Sequence, residues 1–384
     1  MHEIENNLQE NCKQANAELV NNIDDIEKAK TSKEYNSLEQ AYAENNVAIL
    51  LAANNKYTPY LSVILQSIVA HSSIEYNYDI IIFTTDISTE NENKIQEKFK
   101  GYNNISIRFF NVMSAMEPYM NLYVLGYYTV ETYFRLLAPS ILTNYNKILY
   151  LDSDMVVQED VAKLYFTTLS EEYLLAACKD VNWLAVCNSS KTQQKYVKNI
   201  LKLNNAQNYF QAGVILFNLQ AFRETYTTAY IMQFATTENW QLLDQDILNY
   251  LAQDRVLFLD AKWNVMYNWP KNRIKIIKKH AAKNDAEAYI QARNNPYIIH
   301  YAGLEKPWVY NEVDFGDIWW KYAEQSAYSQ ELQDALKIAL VERKKLKNRL
   351  KRLLKKIAMP FVNVFFPHGS KRREKLKAKM YKKA

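Results

Sequence analysis

The chain has 384 residues, 48% hydrophobic and 23% charged, a globular balance with room for a sizeable core and two or three domains. Its 6 glycines and 8 prolines exclude collagen-like, linker-rich and low-complexity readings, and three cysteines without a C-x-x-C pair (Cys12, Cys178, Cys187) argue against a disulfide framework or zinc knuckle. The net charge of +5 hides a split: residues 341–384 carry 17 basic against two acidic side chains, and the other 340 residues carry 30 basic against 40 acidic, so an acidic body wears a basic tail that calls for an anionic partner.

Residues 1–46 are polar and acidic, with Ile4, Leu8, Leu19, Ile23 and Ile26 at loosely helical spacing, which predicts short helices capping the next domain. The opening His2-Glu3-Ile4-Glu5 has no basic region followed by an apolar one, and no apolar run reaches the ~18 residues of a membrane span, so a cytoplasmic protein is expected. Val47 to Ala53 is a continuous apolar run that stops at Asn54-Asn55 and predicts a buried strand. Leu61–Ala70 reads as a helix, Tyr78–Thr84 as a strand, Ser88–Lys100 as a helix and Ile105–Val112 as a third strand, which is βαβαβ spacing. Thr129–Leu142 is amphipathic, and Lys147–Leu151 is a fourth strand that runs into Asp152-Ser153-Asp154. Ligands of open parallel sheets bind beyond the carboxyl ends of the strands, where Asn54 and both aspartates fall. A nucleotide site is expected there, yet neither G-x-G-x-x-G nor G-x-x-x-x-G-K-[ST] occurs, so phosphate must be held without a glycine-rich loop.

Asp-x-Asp occurs twice, at Asp152/Asp154 and Asp244/Asp246, so context must separate the two. At a strand end, Asp152 and Asp154 share one face while Ser153 turns away. Two hard oxygen donors suit Mg²⁺ or Mn²⁺, whose other positions substrate phosphates fill; the plain alternative is a pair of solvated turn aspartates.

Four segments carry a resemblance. Leu151-Asp152-Ser153-Asp154-Met155-Val156-Val157, Tyr209-Phe210-Gln211-Ala212-Gly213-Val214, Asp244-Gln245-Asp246-Ile247-Leu248-Asn249, and His300-Tyr301-Ala302-Gly303 with Lys306-Pro307-Trp308 resemble, in order and spacing, the motifs of family 8 glycosyltransferases. That family includes bacterial lipopolysaccharide galactosyl- and glucosyltransferases and glycogenin, and the likeness spans about residues 47–310. It implies a GT-A α/β fold with a mostly parallel Rossmann-like sheet, flanked here by a helical extension at 1–46 and a basic helical tail at 311–384. It also implies a UDP-hexose donor, UDP-galactose or UDP-glucose, with Mn²⁺ or Mg²⁺, and transfer with retention of configuration.

Carried over residue by residue, the resemblance makes Asp152, Asp154 and His300 the metal ligands, with Ser153 between them at the donor site. Ala52, Asn54 and Tyr57 match the uracil and ribose seat, where Asn54 replaces a common Asp, and Tyr57 is expected to stack on the base. Gly303 and Lys306 match the diphosphate loop. Arg135 matches a donor-contacting arginine, a helix-surface salt bridge being its other reading. Asp180, Gln211, Ala212 and Asp244 match positions around the donor sugar, with Gln211 where the family usually has Asn. Gln245 matches the residue beneath the anomeric carbon; an amide is a poor nucleophile and no ordinary base, so its expected role is to stabilise an oxocarbenium-like centre. Asp246 falls in the same catalytic motif, or alternatively caps a helix over Ile247–Leu251.

The implied acceptor is a lipid-linked or cell-surface glycan. A protein- or self-glycosylating transferase is the nearer alternative, and a membrane-binding protein with a silent GT-A domain the farther one. In the tail, Leu346, Leu350, Leu353, Leu354 and Ile357 form one helical stripe, followed by Phe361, Phe365 and Phe366. A basic amphipathic helix with an aromatic cluster predicts peripheral attachment of residues 341–384 to an anionic inner membrane face, with no nucleic-acid partner. Docking of the stripe on the protein or in a dimer is the alternative.

Overall fold

The computed structural model describes residues 38–119, 122–124, 129–268, 271–310 and 312–345. Strand β1 (Asn46–Ala52) has Val47 to Leu51 fully buried, as a parallel strand covered on both faces must be. A turn leads into α1 (Thr58–Ala70), which carries Pro59 in its first turn, where a missing N–H costs nothing. After β2 (Asn77–Thr84), α2 (Thr89–Phe99) is capped by Ser88 and starts with Glu90 and Glu92, both favourable beside helix N–H groups. Strand β3 (Ile105–Asn111) completes the first half.

The chain then crosses back over β1 to β4 (Lys147–Leu151). The amphipathic stretch on the way is not one α-helix: Val130–Leu137 winds as a 3₁₀ helix and only Ala138–Ile141 is α. Further on come β5 (Met155–Val157), β6 (Leu175–Lys179), α3 (Val181–Ser189), β7 (Phe210–Asn218) and α4 (Asp244–Leu251). Later elements include β8 (Val256–Phe258), β9 (Val265–Met266), α5 (Arg273–His280), β10 (Ile298–His300) and α6 (Gly316–Ala323).

The main sheet has the order β3-β2-β1-β4-β7-β6-β8. All of its pairings are parallel except those of β7, which runs antiparallel to both β4 and β6. The mostly parallel sheet flanked by helices is the expected GT-A architecture. Because the chain builds outward from β1 to β3 and then returns to β4, the crevice between the ends of β1 and β4 is the switch point of the sheet. A second, three-stranded sheet has the order β5-β10-β9.

Of the helical extension expected over residues 1–46, residues 1–37 lie outside the described residues, and residues 38–45 contain no helix. That strap is tied down by buried Asp79, whose carboxylate accepts from Ala41 N–H at 3.0 Å and pairs with Arg108 at 2.6 Å. At the other end, Trp319, Tyr322, Tyr328 and Leu332 belong to the same core as β1, so the packed body runs past residue 310, the boundary expected from sequence. Residues 329–345 are helical, with Ile338 and Val341 more than half exposed. The leucine stripe and the phenylalanine cluster lie outside the described residues. No described helix is long and apolar enough to cross a membrane.

Candidate active site

Strand direction explains why distant residues meet. Asp152 leaves β4 beside the start of the reversed strand β7, and its N–H donates to the Gly213 carbonyl at 2.8 Å. The end of β6 meets the same place, with Asp180 N–H donating to Tyr209 O at 3.0 Å. In the second sheet, Met155 pairs with His300, and Tyr301 N–H donates to Asp154 O at 3.0 Å. Three strand ends and one strand start therefore deliver Asp152, Asp154, Asp180, Gln211 and His300 to one crevice.

Asp152, Asp154 and His300 form the one group among the described residues whose potential ligand atoms lie within 4.8 Å of one another. His300 Nε2 is 3.2 Å from Asp154 Oδ1 and 3.6 Å from Asp152 Oδ2. Two hard oxygens and an imidazole nitrogen suit a small divalent cation. Gly213 provides the room: a Cβ there would stand 2.6 Å from both Asp152 Oδ2 and His300 Cε1. The donor set and this glycine cradle together fit a divalent ion.

The carboxyls are shifted in opposite directions. Asp154 is largely withdrawn from water, which opposes ionisation, but the Lys306 ammonium outweighs that and holds its carboxyl far below the ordinary range. Lys306 bonds Asp154 Oδ2 directly and also donates to Tyr301 O at 2.8 Å. Asp244 is pushed up to about 6 by burial, against the opposing pull of Arg135. Asp180 is raised by burial as well, against its bonds from Trp183 N–H and Gln245.

Arg135 is a buried bridge and not a surface ion pair. Its Nη2 donates to Asp152 Oδ1 at 2.8 Å, its Nε lies 3.1 Å from Asp244 Oδ2, and its Nη1 donates to Ala212 O at 2.5 Å. The guanidinium lies over the Tyr150 ring at 4.0 Å, a cation–π contact that strengthens as water is excluded. Asp244 also accepts from the Thr132 hydroxyl.

Gln245 is fixed at both ends: Oε1 accepts from Ala212 N–H at 3.0 Å, and Nε2 donates to Asp180 Oδ2 at 3.1 Å. Two positions earlier, Leu243 is a non-glycine at φ 49°. Such backbone costs of order 1–3 kcal/mol and persists only when its surroundings enforce it; here it starts α4 with Asp244 and Gln245 facing the crevice.

Two adjoining cavities meet at this centre. One, of about 260 Å³, is lined by Asp152, Asp154, Asp180, Gln211, Ala212, Asp244, Gln245, His300 and Gly303 among others. The other, of about 510 Å³, is walled by Ala52, Asn54, Tyr57, Ser153, Gly303, Lys306 and Trp308 among others. Gly303 sits at φ +131°, and a Cβ on it would stand 3.1 Å from the Tyr267 hydroxyl. Tyr57 packs edge-on against Trp308 at 5.8 Å, and Tyr60 stacks on Trp308 at 4.0 Å.

Several residues serve differently from expectation. Asp246 is fully buried and lines neither cavity. Its carboxylate accepts from the Tyr196 hydroxyl at 2.6 Å, the Tyr209 hydroxyl at 2.5 Å and Leu242 N–H at 2.9 Å; it is a structural acceptor, because α4 begins at Asp244 and turns Asp246 inward. Asn54, matched to the uracil and ribose seat, uses its Oδ1 in the turn instead, accepting from Tyr57 N–H at 3.1 Å. Ser153 Oγ donates to Ala52 O at 2.8 Å, fastening the ends of β1 and β4. Gln211 Oε1 accepts from Gly213 N–H at 2.6 Å and Asn264 Nδ2 at 2.5 Å.

Sequence reasoning passed over Tyr150, Thr132, Trp183 and Asn264. Trp183 stacks on Tyr209 at 3.6 Å behind Gln245, and Asn264 stands behind His300 at 3.1 Å. None lies in a patterned motif, and only the fold brings them near.

A reversed strand feeding an acidic-and-imidazole centre at the switch point defines a GT-A nucleotide-sugar transferase. The chain belongs to glycosyl transferase family 8, whose family model matches residues 48–312. It is 24% identical over 267 residues to General stress protein A of Bacillus subtilis, spanning 68% of this chain and 86% of that one. It is also 27% identical over 179 residues to the lipopolysaccharide 1,2-glucosyltransferase of Escherichia coli, spanning 46% and 48% of the two chains.

Among solved structures, it matches the bifunctional glycosyltransferase WbbM with a TM-score of 0.70 and 28% identity, over 79% of this chain and 54% of that one. The galactosyltransferase LgtC, in a complex with donor and acceptor sugar analogues, shares the fold with a TM-score of 0.58 at 24% identity, over 73% and 96%. The chain thus spans about half the length of WbbM. Family and centre together make the protein a metal-assisted glycosyltransferase that uses a nucleotide-sugar donor and a glycan acceptor.

Proposed function

We propose that this chain is a retaining hexosyltransferase that moves galactose or glucose from a UDP-sugar to a lipid-linked or cell-surface glycan. The observation that carries the reading is the position of Asp152, Asp154 and His300 between an aromatic-walled cavity and a carboxylate-lined one. The first cavity suits the uridine, seated by Ala52, Asn54, Tyr57 and Trp308. The second suits the hexose, with Asp180, Gln211 and Asp244 toward its hydroxyls. Gly303 and Lys306 take the diphosphate that joins the two.

Asp152, Asp154 and His300 would hold Mn²⁺ or Mg²⁺, which when bound supplies positive charge against the departing diphosphate. Arg135 orders Asp152 and Asp244 at once, so the diphosphate and sugar ends are set by one buried cation. Gln245 supports the anomeric centre: its carbonyl oxygen carries the negative end of the amide dipole, and its orientation is locked by Ala212 N–H and Asp180. On this reading the acceptor enters on the face that the diphosphate leaves, and an α-linked donor gives an α-linked product.

Residues 341–384 are assigned to attachment on the anionic inner face of the membrane. Their 17 basic residues are each worth roughly 1 kcal/mol near such a surface, and the body, with more acidic than basic residues, is turned away from it.

The decisive experiment screens nucleotide sugars by thermal shift and UDP release, with and without Mn²⁺, and takes a proton NMR spectrum of the first product. A UDP-hexose should raise Tm and release UDP only with the metal, because a ligand of the native state stabilises by mass action. Metal-independent release or a β-linked product from an α donor would overturn the proposal.

A further inference from the structure

The hydrogen-bond chain behind His300 has a polarity that can be read from its far end. Gly213 N–H can only donate, and it points at Gln211 from 2.6 Å, so the Gln211 atom facing it is the carbonyl oxygen. That oxygen can only accept, so the Asn264 atom 2.5 Å from it is the amide nitrogen. Asn264 therefore turns its own oxygen to His300 Nδ1, 3.1 Å away. An oxygen of this kind accepts, so Nδ1 carries the hydrogen. In the neutral imidazole the lone pair is then on Nε2, the nitrogen that faces Asp152 and Asp154. Gln211, Asn264 and His300 are 9%, 4% and 1% exposed, which leaves little water to reverse the order. Side-chain amide orientation is ordinarily an assignment; here a backbone N–H anchors it.

The opposite tautomer has a clear physical attraction. A hydrogen on Nε2 would bond to Asp154 Oδ1, 3.2 Å away, and would close the centre to a cation. Something must outweigh that bond in the protein before it binds anything.

We propose that Asn264, oriented by Gln211, is a positioning residue that keeps His300 in its Nδ1–H tautomer and so presents Nε2 as a lone-pair donor to the cation site. This rests on the reading of Asp152, Asp154 and His300 as metal ligands. It also gives Gln211 a purpose of its own: the longer side chain curls back to the N–H two residues on and sets the sense of the relay. Outer-shell partners of ligating histidines fix ring orientation in the same physical way, and their loss typically costs about 10- to 100-fold in metal affinity.

The test uses Mn²⁺ alone, without donor, on full-length protein. Nitrogen-15 NMR of labelled histidine reports the tautomer of His300, and titration calorimetry reports Mn²⁺ affinity. The unsubstituted protein should show Nδ1–H. Asn264→Leu should shift His300 toward Nε2–H and weaken Mn²⁺ about 10- to 100-fold. Gln211→Met, which leaves Asn264 free to turn over, should act in the same direction and carries the test alone should Asn264→Leu fail to fold. Gln211→Glu, when ionised, offers only acceptor oxygens and should keep the Nδ1–H tautomer; its loss there would overturn the relay.

Nε2–H in the unsubstituted protein, or full Mn²⁺ affinity in a folded Asn264→Leu or Gln211→Met, overturns the relay. His300→Ala separates the two layers of the argument. If it binds Mn²⁺ as well as the unsubstituted protein, the metal-site reading itself fails; if it loses Mn²⁺ while the relay variants do not, the relay alone fails.

Discussion

The two Asp-x-Asp segments of this chain have the same pattern and opposite fates. Asp152 and Asp154 follow a strand, where side chains two apart point the same way; both reach the crevice, and Ser153 turns aside to bond Ala52 O. Asp244 and Asp246 open a helix, where two residues are separated by about 200° of rotation. Asp244 faces the cavity beside Arg135, whereas Asp246 faces Tyr196 and Tyr209 in the core. Their electrostatics diverge accordingly. Asp154 is held ionised by the Lys306 ammonium against desolvation, while burial raises both carboxyls of the second pair. A tripeptide carries chemistry only through the period of the element on which it lies.

The sharpest way to break the comparison is to remove one acid from each pair. Asp154→Asn should lower metal-supported UDP release by about 10²–10³-fold, the scale of losing one preorganised electrostatic group, with the circular dichroism spectrum unchanged. Retention of full activity in EDTA would remove the first pair from the chemistry. Asp246→Ala should instead act on stability: two tyrosine hydroxyls and Leu242 N–H lose their acceptor, at about 3 kcal/mol or more in urea unfolding. Mn²⁺ affinity should stay as it was in the folded protein. Were affinity to fall with stability intact, the inward role of Asp246 would be wrong.

A smaller effect should appear with pH. The folded-state value of Asp244 lies near 6, above the unfolded carboxyl value, so the native protein holds a proton that the unfolded chain releases. The stability contributed by this group is therefore complete below about pH 4 and is lost as pH rises through about 6, by roughly 3 kcal/mol at most. Urea midpoints of the unsubstituted protein and Asp244→Asn between pH 4.5 and 7 measure it, and equal slopes would mean that Asp244 does not titrate there.

What could be read in advance followed from local signals. The apolar run Lys147–Leu151 ending in two acids marked both a strand and its functional end, and four motifs in order marked the family. The reversal of β7 had no signal, because a strand buried on both faces reads the same in either direction. Asp246 was open to two readings because helix phase depends on where a helix begins: a start at Ile247 makes it a cap, and the actual start at Asp244 turns it into the core. Asn264 is one amide outside any motif, and its use depends on Gln211 and His300, which only the fold brings beside it.

The reversed strand also orders events in time. Lys306 and Asp154, which pair in the finished crevice, are 152 residues apart, and His300 arrives on one of the last strands. During synthesis from the N-terminus, the emerging chain holds its carboxylates long before it holds the imidazole or the lysine. Such long-range closure is slow to form. A ribosome-bound chain thus has its sheet begun but lacks a complete site for a sugar nucleotide until His300 and Lys306 have emerged.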